Sequence, residues 1–436
     1  MLGRGVLART NVDPRRLEPV TAITPHPLFT LEGLRAADPL LALALLILVA
    51  VVFAEGLYRT WRLPRACGQM LMGALAGPLA LSLLERSELD VWKPLVDLAI
   101  GAVLFELGSR IRPRWLLDNR ALATSCVVQA AGCAMFAMFA LLALGAPPLS
   151  AAVAGAVAAS TSPVITLAVV HETGARGQVT ERLLIMTVIN SVLAVLVLKA
   201  LRVGLAFDAP APDTGVFAAL WRSLVIVGGS LLLGVACGLA LERLSPWMRG
   251  TPAMPVVQIA LVILASLLAA HWTLSPLLTL LFAGMTARAR LAHHLTVEPL
   301  LGSAGAVLNV LLFVSLGLLF SLDGYFSVWP WALAIVAARL AASALAVTGL
   351  ARSSGLGWRQ AAGLTVALQP MSSLAVLMAA DSYGWSNQLG GIDSRTLQAL
   401  LAATMLMQLS GPLLTQLGLH GIARECGPQA QAPNAR

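Results

Sequence analysis

Residues 158–196 read AASTSPVITLAVVHETGARGQVTERLLIMTVINSVLAVL, and two features inside this apolar stretch decide how the chain is read. Ser160-Thr161-Ser162-Pro163 falls near the centre of one apolar segment. Thr187, Asn190 and Ser191 fall near the centre of the next. Proline lacks a backbone donor and clashes with the preceding helical turn, and the neighbouring hydroxyls offer partners for the groups it frees. The i, i+3, i+4 spacing of Thr187, Asn190 and Ser191 places them on one helix face. Taken singly, each feature has a plain structural explanation: proline kinks are tolerated in membrane helices, and polar faces hold helices together.

The rest of the sequence sets the environment. Of the 436 residues, 58% are hydrophobic and only 11% charged, and mean hydropathy is +0.83. Soluble domains carry about 25% charged residues, so this composition excludes a water-soluble fold, a disordered chain and a nucleic-acid module. The long continuous apolar runs also exclude a β-barrel, whose strands alternate. A bilayer core takes roughly 20 apolar residues per helix. Thirteen such segments are predicted, at 39–58, 66–84, 91–109, 121–144, 149–170, 182–201, 217–241, 253–270, 273–287, 302–321, 328–350, 359–380 and 396–419. The sequence therefore predicts an all-α polytopic membrane protein. An extramembrane segment (1–38) without a cleavable signal peptide precedes a membrane domain (39–419), and a short tail (420–436) follows it.

The net charge of +8 is carried almost wholly by arginine. With thirteen spans, one set of connections and the C-terminal tail hold seventeen arginines, and the opposite connections hold five basic residues. The positive-inside bias predicts a cytoplasmic C-terminus and an external N-terminus, although the five arginines of the N-terminal segment run against it. The five cysteines lack metal or CxxC spacing, and the histidines His171, His271, His293 and His294 fall in loops or at span ends. No metal constellation and no cofactor motif emerges.

Two further irregularities lie at half depth. Gln369-Pro370, followed by Ser372 and Ser373, interrupts the twelfth segment in the place that matches Pro163 in the other half. Paired proline-broken helices in corresponding positions point to a transport site built from inverted repeats. Arg339 sits near the middle of the eleventh segment. An intramembrane arginine costs about 2.5–3.5 kcal/mol on insertion scales and marks a functional site by default. Its counter-charge is expected from the inner C-terminal end of a broken helix, which carries partial negative charge. Among the carboxylates, Glu55, Glu106 and Asp381 suit interfacial or structural roles. Asp97 is the deepest from the outer side and is the candidate proton carrier.

At this point the sequence resembles the monovalent cation:proton antiporter superfamily, the group of sodium/hydrogen exchanger-like transporters. Leu63-Pro64 with Gly68, Gly73, Gly77 and Pro78 resembles its second helix. Phe105-Glu106-Leu107-Gly108 with Arg112-Pro113-Arg114 resembles the end of its third. The stretch 158–196 resembles its broken helix, cytoplasmic loop and ion-site helix nearly position by position, and Arg339 matches a basic residue of the family. The resemblance implies a mobile core (120–201 and 328–419) and a scaffold (39–119 and 217–321) that usually forms a homodimer. It also implies two broken helices crossing near the midplane. Monovalent cations and protons would exchange across a bacterial inner membrane as the core shifts against the scaffold. Thr161, Ser162, Thr187, Asn190, Ser191 and Gln369 would line the ion site, with Pro163 and Pro370 marking the breaks.

The chain departs from the family at the key position. Where the family carries an aspartate after Asn190, this sequence has Ser191, and a partner carboxylate kept by some members is Met186. Serine does not titrate in the useful range. Neutral oxygens beside Arg339 would hold a cation weakly, since two unit charges ~6 Å apart repel by about 3 kcal/mol at an effective dielectric of 20. Three readings stand: a Na⁺ or K⁺:proton antiporter with its proton on another carboxylate such as Asp97, the same fold carrying an anionic or neutral solute, and a non-transporting sensor. No motif of an intramembrane enzyme is present, and neither HExxH nor GxSxG occurs.

Overall fold

The computed structural model describes residues 39–77, 93–110, 119–208, 216–248, 253–291, 302–318, 327–372, 375, 378–379 and 392–425. The N-terminal segment 1–38, Pro78, Arg112 to Arg114, His293, His294, Ser373, Asp381, Cys426 and the tail beyond Glu425 lie outside the described residues.

Each of the thirteen predicted segments contains helix. The first four are α1 (Pro39–Trp61), α2 (Arg65–Ala76), α3 (Lys93–Arg110) and α4 (Arg120–Ala143). Where the sequence predicts one span over 149–170, the chain forms two half-length helices, α5 (Pro148–Ala158) and α6 (Pro163–Thr173). The proline does not kink a continuous helix. It occupies the first position of a new one, where its missing N–H costs nothing. The Ser162 hydroxyl caps α6 by accepting from the N–H of Ile165 at 3.3 Å. Gly174 then ends α6 in the left-handed conformation, at φ 61°, which glycine adopts without strain.

The chain continues as α7 (Gln178–Asp208), α8 (Val216–Met248), α9 (Ala253–His271), α10 (Pro276–Leu291) and α11 (Gly302–Leu318). After these come α12 (Trp329–Gly349), α13 (Trp358–Ala367) and α14 (Ser394–Gln416), the last running into a π-helical turn at Leu417–Ile422. Helices α7 and α8 have 31 and 33 residues and outrun the predicted 182–201 and 217–241. Hydropathy marks only the lipid-length part of a helix, and a nucleated helix continues past it.

Among the described residues, eight helices are long and apolar enough to cross a bilayer, with α5 and α6 counted together. The apolar window of Pro148–Thr173 is 94% buried, against 22% for Leu41–Trp61. The broken helix is therefore central, while α1 turns an apolar outer face, including Leu48 and Val52, away from the protein.

The heaviest packing falls within two sets of helices. One set joins α2 with α1 and α11, and α10 with α3 and α8; α9 leans on α3, α8 and α10. The other joins α12 with α4, α13 and α14, α5 with α4, α7 and α14, and α6 with α7 and α14. The sets meet mainly through α7 on α8, α3 on α6 and α2 on α14. Within the first set glycines bring backbones into contact. A Cβ at Gly317 would lie 2.9 Å from the Cα of Gly73, and one at Gly108 would lie 3.2 Å from the Cα of Gly284.

Candidate functional site

The two interruptions meet. The chain between α5 and α6 passes the chain that leaves α13, and the N–H of Ser162 donates to the carbonyl of Pro370 at 2.8 Å. Helix α14 lies across the meeting point. A Cβ at Gly411 would sit 2.9 Å from the Cβ of Pro370 and 3.2 Å from Cδ1 of Ile165. Only a bare backbone at position 411 leaves room for both breaks. The start of α6 and the end of α13 thus bring partial charges of opposite sign to one place.

The side chains of α7 close on the first break. Asn190 Nδ2 donates to Thr161 Oγ1 at 2.9 Å. The Ser191 hydroxyl donates to the carbonyls of Thr161 at 2.9 Å and Thr187 at 3.0 Å. Thr161, Thr187 and Asn190 are fully buried, and Ser162 and Ser191 nearly so. The amide oxygen of Asn190 and the hydroxyl of Thr187 have no hydrogen-bond partner. A buried acceptor without a partner costs about 1–3 kcal/mol, so the site holds unspent coordinating capacity. It consists of neutral oxygens.

Ser191 also borders a cavity of about 10 Å³ between α3, α6, α7 and α10. Leu104, Leu107, Pro163, Val188, Leu277 and Leu281 supply most of its wall. The space has about the volume of one water, its wall is apolar apart from Ser191, and it lies where the two helix sets face each other.

Arg339 takes the place expected from the dipole of a broken helix. Its side chain is fully buried, and Nη2 donates to the carbonyls of Leu368 at 3.3 Å and Gln369 at 3.2 Å. These are the carbonyls that the end of α13 leaves unpaired. The guanidinium therefore caps α13, and its Nε and Nη1 have no hydrogen-bond partner. The side chain of Gln369 folds back, Nε2 donating to the Thr365 carbonyl at 2.8 Å, and leaves Oε1 without a partner. No described contact joins Arg339 to Asn190 or Ser191. Asp97 is exposed on α3.

Several polar groups escape the sequence reading. Gln129 is buried on α4 and donates to Ser343 Oγ on α12 at 3.0 Å. Gln408 shares the face of α14 that carries Thr404, whose hydroxyl contacts Met371, and Gly411 beside Pro370. Both are lone amides in apolar runs, a signal available in the sequence. Glu425 is different. It accepts from the N–H groups of Val179 at 2.7 Å and Thr180 at 2.8 Å and so caps α7 from the far end of the chain; no local pattern announces such a contact.

At the arginine-rich end the two helix sets are joined by charge. Glu172, in the last turn of α6, accepts from the backbone N–H of Arg65 at 3.0 Å and from its Nη1 at 3.2 Å. Arg65 also holds Glu55 at 2.8 Å. The neighbouring His171 meets Glu106 of α3, with 2.9 Å between Nε2 and Oε1. Glu55 pairs with Arg59 and Arg65, and Glu106 lies against His171.

Comparison with known proteins agrees with this architecture. The fold is similar to that of the sodium proton antiporter MjNhaP1 from Methanocaldococcus jannaschii. Against its structure at pH 8 the TM-score is 0.61, with 14% identity over 88% of this chain and 96% of that one. Against its electron-microscopy structure the TM-score is 0.69, with 13% identity over 92% of this chain and the whole of the other. No curated protein matches the sequence. Residues 43–417 match the family described as sodium/hydrogen exchanger, transmembrane. The chain belongs to that sodium/hydrogen exchanger family of membrane proteins.

Proposed function

We propose that the protein is a secondary active transporter that exchanges a monovalent cation, Na⁺ or K⁺, for protons by alternating access. The observation that carries this reading is the cluster of neutral oxygens from Thr161, Thr187, Asn190 and Ser191 at the crossing of two half-helices, with a water-sized cavity against Ser191. The cavity is too small for an organic solute. The helix set containing α4 to α7 and α12 to α14 would be the moving core, and the other set the scaffold; the sparse packing between them supports this division. Arg339 neutralises the end of α13 and keeps the unwound backbone open.

The family and the arginine distribution favour a homodimer in a bacterial inner membrane, with the N-terminus outside and the C-terminus in the cytoplasm. One observation favours a second reading, transport of an anionic solute: Nε and Nη1 of Arg339 are buried without partners. Cation-induced pH changes in everted membrane vesicles test the proposal. Alkalinisation of the lumen on adding Na⁺, K⁺ or Li⁺ supports it. No response to any of them from roughly pH 6 to pH 9, where ordinary proton-carrying groups titrate, rejects it. Solute uptake lost in Arg339→Glu would then favour the anion reading, and no binding of any solute would favour a sensor.

A further inference from the structure

Helix α2 begins without a side-chain cap of its own. The residue before it, where Ser, Thr, Asp or Asn would take the first N–H groups, is Pro64, and it makes no such bond. The bond comes instead from the other helix set. Both carboxylate oxygens of Glu172, in the last turn of α6, accept from the N–H of Arg65, at 3.0 and 3.1 Å, and Oε1 also accepts from Nη1 at 3.2 Å. The carbonyl of Arg62, just past the end of α1, accepts from Nε2 of Gln416, the last residue of α14, at 3.0 Å. Two helices of the proposed core thus close on one turn of the proposed scaffold. We infer that the α1–α2 turn and the ends of α6 and α14 form a latch, which holds the core at its present position against the scaffold and must open for the core to shift. Its place in transport rests on the alternating-access reading above.

The scaffold side of the latch is built without help from the core. The Arg65 guanidinium lies over the ring of Tyr58, 3.8 Å from its centroid, and Nε donates to Glu55 at 2.8 Å. Tyr58 and Glu55 are three residues apart on α1 and share a face, so the arginine is held ready for Glu172. Arg62 stands in the left-handed region, at φ 56°, which residues with a Cβ seldom adopt; the turn is tightest where Gln416 grips it. The positive end of the α2 dipole adds to the attraction for the Glu172 carboxylate. Elsewhere the sets meet through α7 on α8 and α3 on α6, and the cavity between them is apolar apart from Ser191. Apolar attraction is non-directional and lets surfaces slide, whereas hydrogen bonds to charged groups fix one register. Glu172 and Arg65 are only half-buried. Water at the arginine-rich end replaces both partners on release, so opening costs far less there than at the bilayer centre.

Two measurements on the full-length protein in proteoliposomes test the latch. Arg65→Cys with Glu172→Cys, joined by a short bis-methanethiosulfonate, should lower cation exchange by about tenfold or more, because turnover needs the conformational step, and a reductant should restore it. Arg62→Cys with Gln416→Cys locks the second arm in the same way and carries the test if the first pair does not insert. The holding role is read from the distance between spin labels on Leu48→Cys of α1 and Leu345→Cys of α12, both exposed positions, in a protein that also carries Cys67→Ala and Cys426→Ala. Glu172→Ala should reduce the population at the present distance by about threefold or more in favour of another, and Glu172→Gln, which keeps an acceptor without the charge, should fall between. Exchange that continues in the crosslinked protein, or a distance distribution unchanged in Glu172→Ala, overturns the latch. A wild-type protein that moves neither Na⁺, K⁺ nor Li⁺, while Glu172→Ala still shifts the distances, rejects the antiport reading and supports the latch.

Discussion

The N–H of Ser162 donates to the carbonyl of Pro370 at 2.8 Å, although 208 positions separate the two in the sequence. Each residue belongs to a break that its own proline imposes, and each break frees backbone groups that a membrane cannot solvate. Pairing one break with the other satisfies part of that demand. What remains, the carbonyls of Leu368, Gln369 and Thr161, is met by Arg339 and Ser191. The crossing is thus held by groups from α7, α12 and both breaks, and its position fixes the oxygen cluster.

Gly411 is the most sterically demanding position at the crossing. Gly411→Val should push α14 off Pro370 and Ile165, lowering thermal stability in detergent by about 1–3 kcal/mol, the usual cost of overpacking. Cation exchange should fall at least as much. A variant with wild-type melting and exchange would show that α14 is not seated on the breaks as described.

Arg339→Met should destabilise the protein, because it strips the Leu368 and Gln369 carbonyls of their donor at about 1–3 kcal/mol per buried group. The gain from no longer burying a charge offsets part of this. Arg339→Lys should recover most of the loss, since one ammonium can reach both carbonyls. A thermal melt of the three proteins checks the order, and Arg339→Met as stable as wild type would contradict the capping role.

Ser191→Asp should strengthen cation binding by roughly tenfold or more, since a carboxylate beside the oxygen cluster adds a full negative charge in a water-poor site. Ser191→Ala should weaken it. Cation titrations followed by thermal shift report both, and identical responses in Ser191→Asp and wild type would place the cation elsewhere.

Asp393 gives a prediction with a defined pH window. It caps α14, its carboxylate accepting from the N–H of Thr396 at 3.2 Å. Burial alone would push this carboxyl up, but hydrogen bonds from Thr396 and the contact with Ser150 outweigh burial and hold it below its ordinary value. A lowered folded-state value means the stabilisation is present above the unfolded value of about 3.9 and is lost as pH falls through the folded one. Asp393→Ala should therefore cost about 1 kcal/mol at a constant level through neutral pH. The difference from wild type should disappear only in strong acid; a difference that shrinks on approaching neutrality would contradict the cap.

Most of this fold is legible in the sequence because lipid leaves few options. Apolar length marks the spans, and two prolines flanked by hydroxyls mark the breaks at Pro163 and Pro370. Thr187, Asn190 and Ser191 show their shared face through helical spacing alone. The partner of Arg339 could be anticipated from helix dipoles, without any carboxylate. What stays hidden is pairing across long separations. Nothing near Glu425 indicates that it caps α7, and nothing near His171 or Glu172 names Glu106 and Arg65. Asp97 drew attention by depth alone, and it is exposed on α3.

The central claim is that unwound backbone at two crossing half-helices, together with α7, makes a pocket for a cation. An experimental structure of the protein in a thallium or rubidium salt tests it most directly, because these ions mimic K⁺ and are located by anomalous scattering. The account predicts an ion between the Thr161, Asn190 and Ser191 oxygens. Scattering confined to other places, or a bromide seated on Nε and Nη1 of Arg339 with no cation at the crossing, would contradict it.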